Sequence, residues 1–166
     1  MAIPKIIRVS SAVNREAHYA GELSVKTLPR LVDALADDEG VLQADLLAWK
    51  ASGYPALSGT VSGVLNMECR RCGKTFGFTL AHKLDLRLVT SEEEELRLLR
   101  DCEPYWVQGD ELELHDLVED ETLLALPMLP RCESCENMAG GAPETARETA
   151  EPRRENPFAA LKKLKL

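Results

Sequence analysis

Leu65-Asn66-Met67-Glu68-Cys69-Arg70-Arg71-Cys72-Gly73-Lys74-Thr75-Phe76-Gly77-Phe78 is the stretch that decides how this chain folds. Before it, Leu57, Gly59, Val61 and Gly63 alternate with Ser58, Thr60 and Ser62, and the pattern continues through Leu65 and Met67. After it, Phe76, Phe78, Leu80, Leu84, Leu86 and Leu88 alternate with Thr79, Lys83, Asp85 and Arg87. A period of two belongs to strands with one covered face. The two flanks therefore predict a long β-hairpin with a Cys-x-x-Cys at its tip. A tight turn aims both thiolates at one point, and a glycine just after it, Gly73, gives the backbone the freedom to take a positive φ if the turn requires one.

A second pair, Cys132 and Cys135, lies well downstream. Together the pairs predict one tetrahedral Zn2+ site built from Cys69, Cys72, Cys132 and Cys135, tying the middle of the chain to its end. Thiolate softness favours zinc over harder cations. Two other readings stand beside it. Free cysteines also pack as small hydrophobes, and a Cys-x-x-Cys can be a redox dithiol. This pair, however, lies between two alternating strands and not at a helix start in a βαβ unit. Cys102 has no visible partner and reads as structural.

Working outward, residues 3–9 predict an opening strand, and Tyr19, Gly21, Leu23 and Val25 a second. Leu28, Leu31, Val32 and Leu35 change the period to that of a helix, with Pro29 at its start. Residues 41–50 carry apolar side chains on both parities; the short span and the Gly53-Tyr54-Pro55 turn favour strand over helix. Ser91 is placed to cap a helix opened by Glu92-Glu93-Glu94-Glu95, with Leu96 and Leu99 facing inward. Tyr105-Trp106-Val107 predicts a short strand. Beyond it Leu114, Leu117, Val118, Leu124 and Ala125 line one helical face, with Glu119, Asp120 and Thr122 mostly on the other. His82 falls on the inward parity of its strand and reads as a satisfied core or edge histidine.

The expected fold is α+β: residues 1–136 as a single domain with a hairpin-rich antiparallel sheet and two or three helices. Residues 137–155, rich in Ala, Gly, Pro, Glu and Thr, predict a flexible linker. In residues 156–166, Asn156 caps and Pro157 opens a short terminal helix.

The chain has 166 residues, a length that suits one domain. Its net charge of −8 and pI near 5.0 argue against wholesale wrapping around nucleic acid. The charge is uneven, however. Residues 91–121 carry thirteen Asp or Glu against Arg97 and Arg100, a local −11 that leaves the rest of the chain at +3. Such polarity suits a basic partner on one face and phosphate on another. No apolar run approaches a membrane span of roughly 20 residues, and residues 1–13 lack the apolar core of a secretory signal. Five cysteines of this arrangement fit a reducing compartment, so the expected location is cytoplasmic.

Three stretches resemble the bacterial YceD family, the large ribosomal RNA subunit accumulation proteins. They are Glu68 to Phe76 around the first cysteine pair, Leu117-Val118-Glu119-Asp120-Glu121 through Leu123-Leu124-Ala125-Leu126-Pro127, and Asn156-Pro157-Phe158-Ala159-Ala160-Leu161-Lys162. Their order and spacing also match, and the likeness is weakest in the first fifty residues. The resemblance implies a non-enzymatic factor needed for synthesis, processing or stability of 23S rRNA, with chloroplast relatives in a similar role. It implies neither catalysis, a membrane nor a small-molecule substrate. Family members vary in Cys and His content near the second pair, so the four-cysteine site is an expectation of this sequence.

Several charged groups then become candidate contacts to 23S rRNA, a large-subunit precursor or a basic ribosomal protein. Arg70, Arg71 and Lys74 crowd the hairpin tip, where they either contact phosphate or are ordinary solvated charge. Glu119 and Asp120 hold either a partner or an arginine of this same chain. In the tail, Asn156, Pro157, Phe158, Lys162 and Lys163 either dock on their own domain or form a tethered element that folds on a partner. Two other classes remain: a zinc-stabilised protein-interaction adaptor acting on rRNA indirectly, and a thiol oxidoreductase.

Overall fold

The structure is a computed structural model that describes residues 3–136. Strand β1 (Ile6–Arg8) runs into helix α1 (Val9–Asn14), followed by β2 (His18–Ser24) and α2 (Pro29–Ala34). Three long strands come next: β3 (Val41–Ala51), β4 (Tyr54–Glu68) and β5 (Thr75–Val89). Helix α3 (Glu92–Leu98), β6 (Glu103–Trp106), β7 (Glu111–Glu113), α4 (Leu114–Ala125) and a single turn α5 (Glu133–Glu136) complete the order. Five strands form one sheet in the order β2-β3-β4-β5-β6, and β1 pairs with β7 apart from it.

The hairpin is the longest pairing, unbroken from Ala56 opposite Arg87 to Glu68 opposite Thr75. Leu57, Val61 and Leu65 of β4 share one face with Leu80, Leu84 and Leu86 of β5, and all are buried. Residues 41–50 form a strand, as preferred: Leu42, Ala44, Leu46 and Ala48 join the buried face, and Val41 and Leu47 stay exposed on the other. Apolar residues on the open face are what blurred the parity. Gly59 permits a close approach of β3, since a Cβ there would stand 2.0 Å from the Asp45 carbonyl oxygen. Only glycine fits without moving the neighbouring backbone. Helix α1 covers β3 and β4, α4 covers β5, and α2 packs on α4, so the core lies between these helices and one face of the sheet.

The α+β architecture with a hairpin-rich sheet is present, and the differences lie in detail. The sheet is mixed, because β6 pairs parallel to β5 from Leu86 opposite Glu103 to Val89 opposite Trp106. Helix α3 provides the crossover that a parallel pair needs. Helix α1 was not expected. Its first turn is capped from across the chain by Asp110, whose carbonyl accepts the Val9 N–H at 2.8 Å. The Asp110 carboxylate accepts the Ser10 N–H at 2.7 Å and the Ser10 hydroxyl at 2.6 Å. These bonds hold the Asp110 carboxyl below its ordinary range.

Ser91 caps α3 as expected, its hydroxyl accepting the Glu94 N–H at 3.3 Å, and Glu94 reaches back to the Thr90 N–H. Leu96 and Leu99 correct the expectation by facing solvent: α3 lies along the edge of the sheet and buries no side chain. The faces of α4 are also corrected, since Leu124 is 72% exposed while Glu119, Glu121 and Thr122 are buried. The anticipated linker 137–155 and terminal helix 156–166 lie outside the described residues. Among the described residues no helix is long and apolar enough to cross a membrane.

Candidate metal centre

Cys69 follows directly on β4, and the tip closes through backbone bonds in both directions. The Cys69 N–H donates to the Lys74 carbonyl and the Gly73 N–H to the Cys69 carbonyl, each at 2.9 Å. Gly73 takes φ +71°, the left-handed geometry that a side chain resists. In the second pair Cys132 directly precedes α5 and Cys135 lies on it, and the N–H groups of Cys135 and Glu136 both donate to the Cys132 carbonyl. One further backbone bond joins the two segments: the Arg70 N–H donates to the Pro130 carbonyl at 2.9 Å.

This framework brings the Sγ atoms of Cys69, Cys72, Cys132 and Cys135 within 4.8 Å of one another, with Cys72 Sγ and Cys132 Sγ 3.7 Å apart. Zinc–sulfur bonds of about 2.3 Å put tetrahedral sulfurs about 3.8 Å apart, so the donor set fits a structural zinc ion. Electrostatics agree. Backbone N–H groups of Cys132, Cys72 and Arg71 aimed at the Cys69 sulfur bring its thiol down to about 6, against burial. Burial, reinforced by the neighbouring thiols, pushes Cys135 up to about 12. Four sulfurs this close cannot share negative charge on their own. A cation among them would remove that conflict and let all four act as thiolates.

The remaining sequence-predicted residues divide into two groups. Arg70, Arg71 and Lys74 stand exposed around the four-cysteine cluster, with one Arg71 N–H donating to the Cys135 carbonyl at 3.3 Å. Sequence reasoning missed Arg131, which the structure brings beside Arg70, Arg71 and Leu129 around one cleft. The available signal was its position directly before Cys132.

Glu119 and Asp120 are engaged within the chain. Arg30 of α2 donates through Nε to Glu119 Oε2 at 2.9 Å and through a terminal nitrogen to Asp120 Oδ1. The second Glu119 oxygen accepts the Leu31 N–H at 3.0 Å, and Tyr105 donates to Asp120 at 3.3 Å. Glu119, only 2% exposed, is thus a buried clasp between α2 and α4: of its two expected roles it takes the arginine of this same chain and not the partner contact. These bonds, chiefly the one to Asp120, raise the Arg30 pKa. Burial, then Asp120, pushes the Tyr105 hydroxyl up to about 12. His82 is satisfied by buried Glu121 at 2.9 Å. The partly buried Cys102 thiol lies 3.5 Å from the Leu98 carbonyl and is not part of the four-cysteine cluster. Asn156, Pro157, Phe158, Lys162 and Lys163 lie outside the described residues.

Comparison with known proteins gives this arrangement a family. The profile described as Large ribosomal RNA subunit accumulation protein YceD matches residues 57–165, beginning on β4 and including both cysteine pairs. The Large ribosomal RNA subunit accumulation protein YceD of Haemophilus influenzae is 28% identical over 172 aligned residues, covering 98% of this chain and 96% of its own length. No solved structure matches the chain. The chain belongs to the YceD family.

Proposed function

We propose that this protein is a non-enzymatic factor for accumulation of large-subunit ribosomal RNA, acting in the cytoplasm by binding 23S rRNA or an early assembly intermediate. The observation that carries the reading is the junction of the two cysteine pairs. It fixes two separate parts of the chain to each other and sets Arg70, Arg71 and Lys74 on the rim. The family membership supports the RNA side of the reading. Zn2+ held by Cys69, Cys72, Cys132 and Cys135 would supply the rigid cross-link. All four corners are protein ligands, the arrangement of structural rather than catalytic zinc. The same convergence of four sulfurs favours this role over a two-thiol oxidoreductase.

The rim guanidiniums present planar, always-charged donors suited to phosphate oxygens. On the other side of the charge distribution, Glu92, Glu93, Glu103, Glu111, Glu113 and Asp116 are exposed and offer a basic ribosomal protein its contact. That acidic surface is also what favours the second reading, a zinc-stabilised adaptor acting on rRNA indirectly. Partners that survive nuclease treatment would identify it.

Arg70→Ala combined with Arg71→Ala weakens association with large-subunit precursor RNA and flattens its salt dependence, each lost phosphate contact removing about 0.7 to 0.9 from the slope. Both side chains are exposed, so the thermal unfolding midpoint stays put. Binding curves unchanged at every salt concentration would count against the rim as the RNA contact.

A further inference from the structure

Two clefts meet beside the metal centre and differ in chemistry. One, about 300 Å³, is lined by Arg70, Arg71, Arg131 and Leu129. The other, about 380 Å³, shares Leu129 and Arg131, and adds Phe76, Phe78 and Pro127 with Glu133 and Glu136. In a chain of net charge −8, no carboxylate among the described residues pairs with any of the three arginines of the first cleft. Their field is therefore free to act on an anion from outside. The second cleft has an aromatic and apolar floor, and its two glutamates repel phosphate. Leu129, 68% exposed, is the wall between them.

We propose that the paired clefts bind one nucleotide of single-stranded RNA, with its phosphodiester among Arg70, Arg71 and Arg131 and its unstacked base against Phe76, Phe78 and Leu129. This rests on the RNA-binding reading above and names the form of RNA it takes. The charges fix the polarity of the site, because only the arginine cleft accepts the phosphate. A duplex does not offer the combination: its bases are stacked on one another, whereas unpaired nucleotides display a free face to aromatic and apolar side chains. Each cleft lies at the lower end of ligand-pocket volumes, a size that suits a single unit of the chain and not a folded domain.

The test is fluorescence anisotropy of the full-length, metal-loaded protein with a labelled single-stranded oligoribonucleotide and with the same sequence as a duplex, each over a range of salt. Arg131→Gln is expected to weaken single-strand binding and lower the salt slope by about 0.7. Leu129→Ser, at an exposed position, is expected to weaken single-strand binding several-fold with the salt slope unchanged. Phe76→Leu keeps the apolar bulk, removes the aromatic face and should behave as Leu129→Ser does. Duplex binding should be weaker than single-strand binding and insensitive to Leu129→Ser and Phe76→Leu. Equal loss on duplex and single strand, or full displacement of the RNA by millimolar inorganic phosphate, would overturn the nucleotide site in favour of a simple anion patch. Wild-type binding that none of the three variants alters would overturn this inference while leaving the RNA-binding reading intact. Absence of RNA binding by the wild-type protein would remove both.

Discussion

Protein prepared without chelator is expected to carry about one equivalent of zinc, and Cys69→Ser to reduce that to near zero. Cys69 is the ligand whose loss matters most. It is 1% exposed, and three backbone N–H groups are already aimed at its sulfur. Serine offers a hydroxyl that stays protonated, so the softest and most preorganised corner disappears. Cys72, which is exposed at the tip, should show a smaller loss when changed to serine. The sheet remains folded in both variants, because its core of Leu42, Leu46, Leu57 and Leu65 is built independently of the thiols. The local effect falls on the tip and on residues 130–136, whose direct backbone link is the Arg70 to Pro130 bond. Hydrogen exchange should therefore accelerate there and not along β3. Metal analysis beside exchange measurements decides the matter. Wild-type protein with less than about half an equivalent of zinc would sink the shared site.

Glu119→Ala destabilises the protein by about 2–4 kcal/mol, the range expected when a buried carboxylate holding an N–H and a guanidinium is removed. The Leu31 N–H is then buried without an acceptor, and α2 is left hydrogen-bonded to α4 only through the Arg30 bonds to Asp120 and the Asp116 carbonyl. Arg30 is half exposed and regains water, which keeps the cost from rising further. Glu119→Gln restores an acceptor for Leu31 without the charge and should fall between. Asp120→Ala, at the more exposed end of the same clasp, should cost less. Urea unfolding of the three variants gives the order directly. An Asp120→Ala variant less stable than Glu119→Ala would mean the clasp is not organised around the buried oxygen pair.

What could be read from the residues tracks how local its cause is. The hairpin was legible because thirteen consecutive residue pairs keep one face covered, and alternation is the direct imprint of that cover. The convergence of the cysteines was legible from thiol chemistry and turn spacing, with no need to know the rest of the fold. Helix α1 was not, because the group that caps it, Asp110, lies 100 residues from Ser10. The direction of β6 was hidden for a different reason: four residues, Glu103–Trp106, give no information about whether their neighbour runs parallel. Glu119 was placed on the face away from the core with its contact left open, since its partners, Arg30 and the Leu31 N–H, sit on another helix. Arg131 escaped notice because its meaning depends on Arg70 and Arg71 coming beside it, which only the joined cysteine pairs bring about.

On the function proposed above, the protein works on the large-subunit RNA itself. Sedimentation of tagged protein from growing cells, with precursor and mature 23S rRNA probed in every fraction, tests it most directly. Co-migration with incomplete large subunits that carry precursor RNA, lost in the Arg70→Ala, Arg71→Ala double variant, is the expected result. Protein that stays at the top of the gradient even after mild crosslinking would contradict it and leave the indirect adaptor in its place.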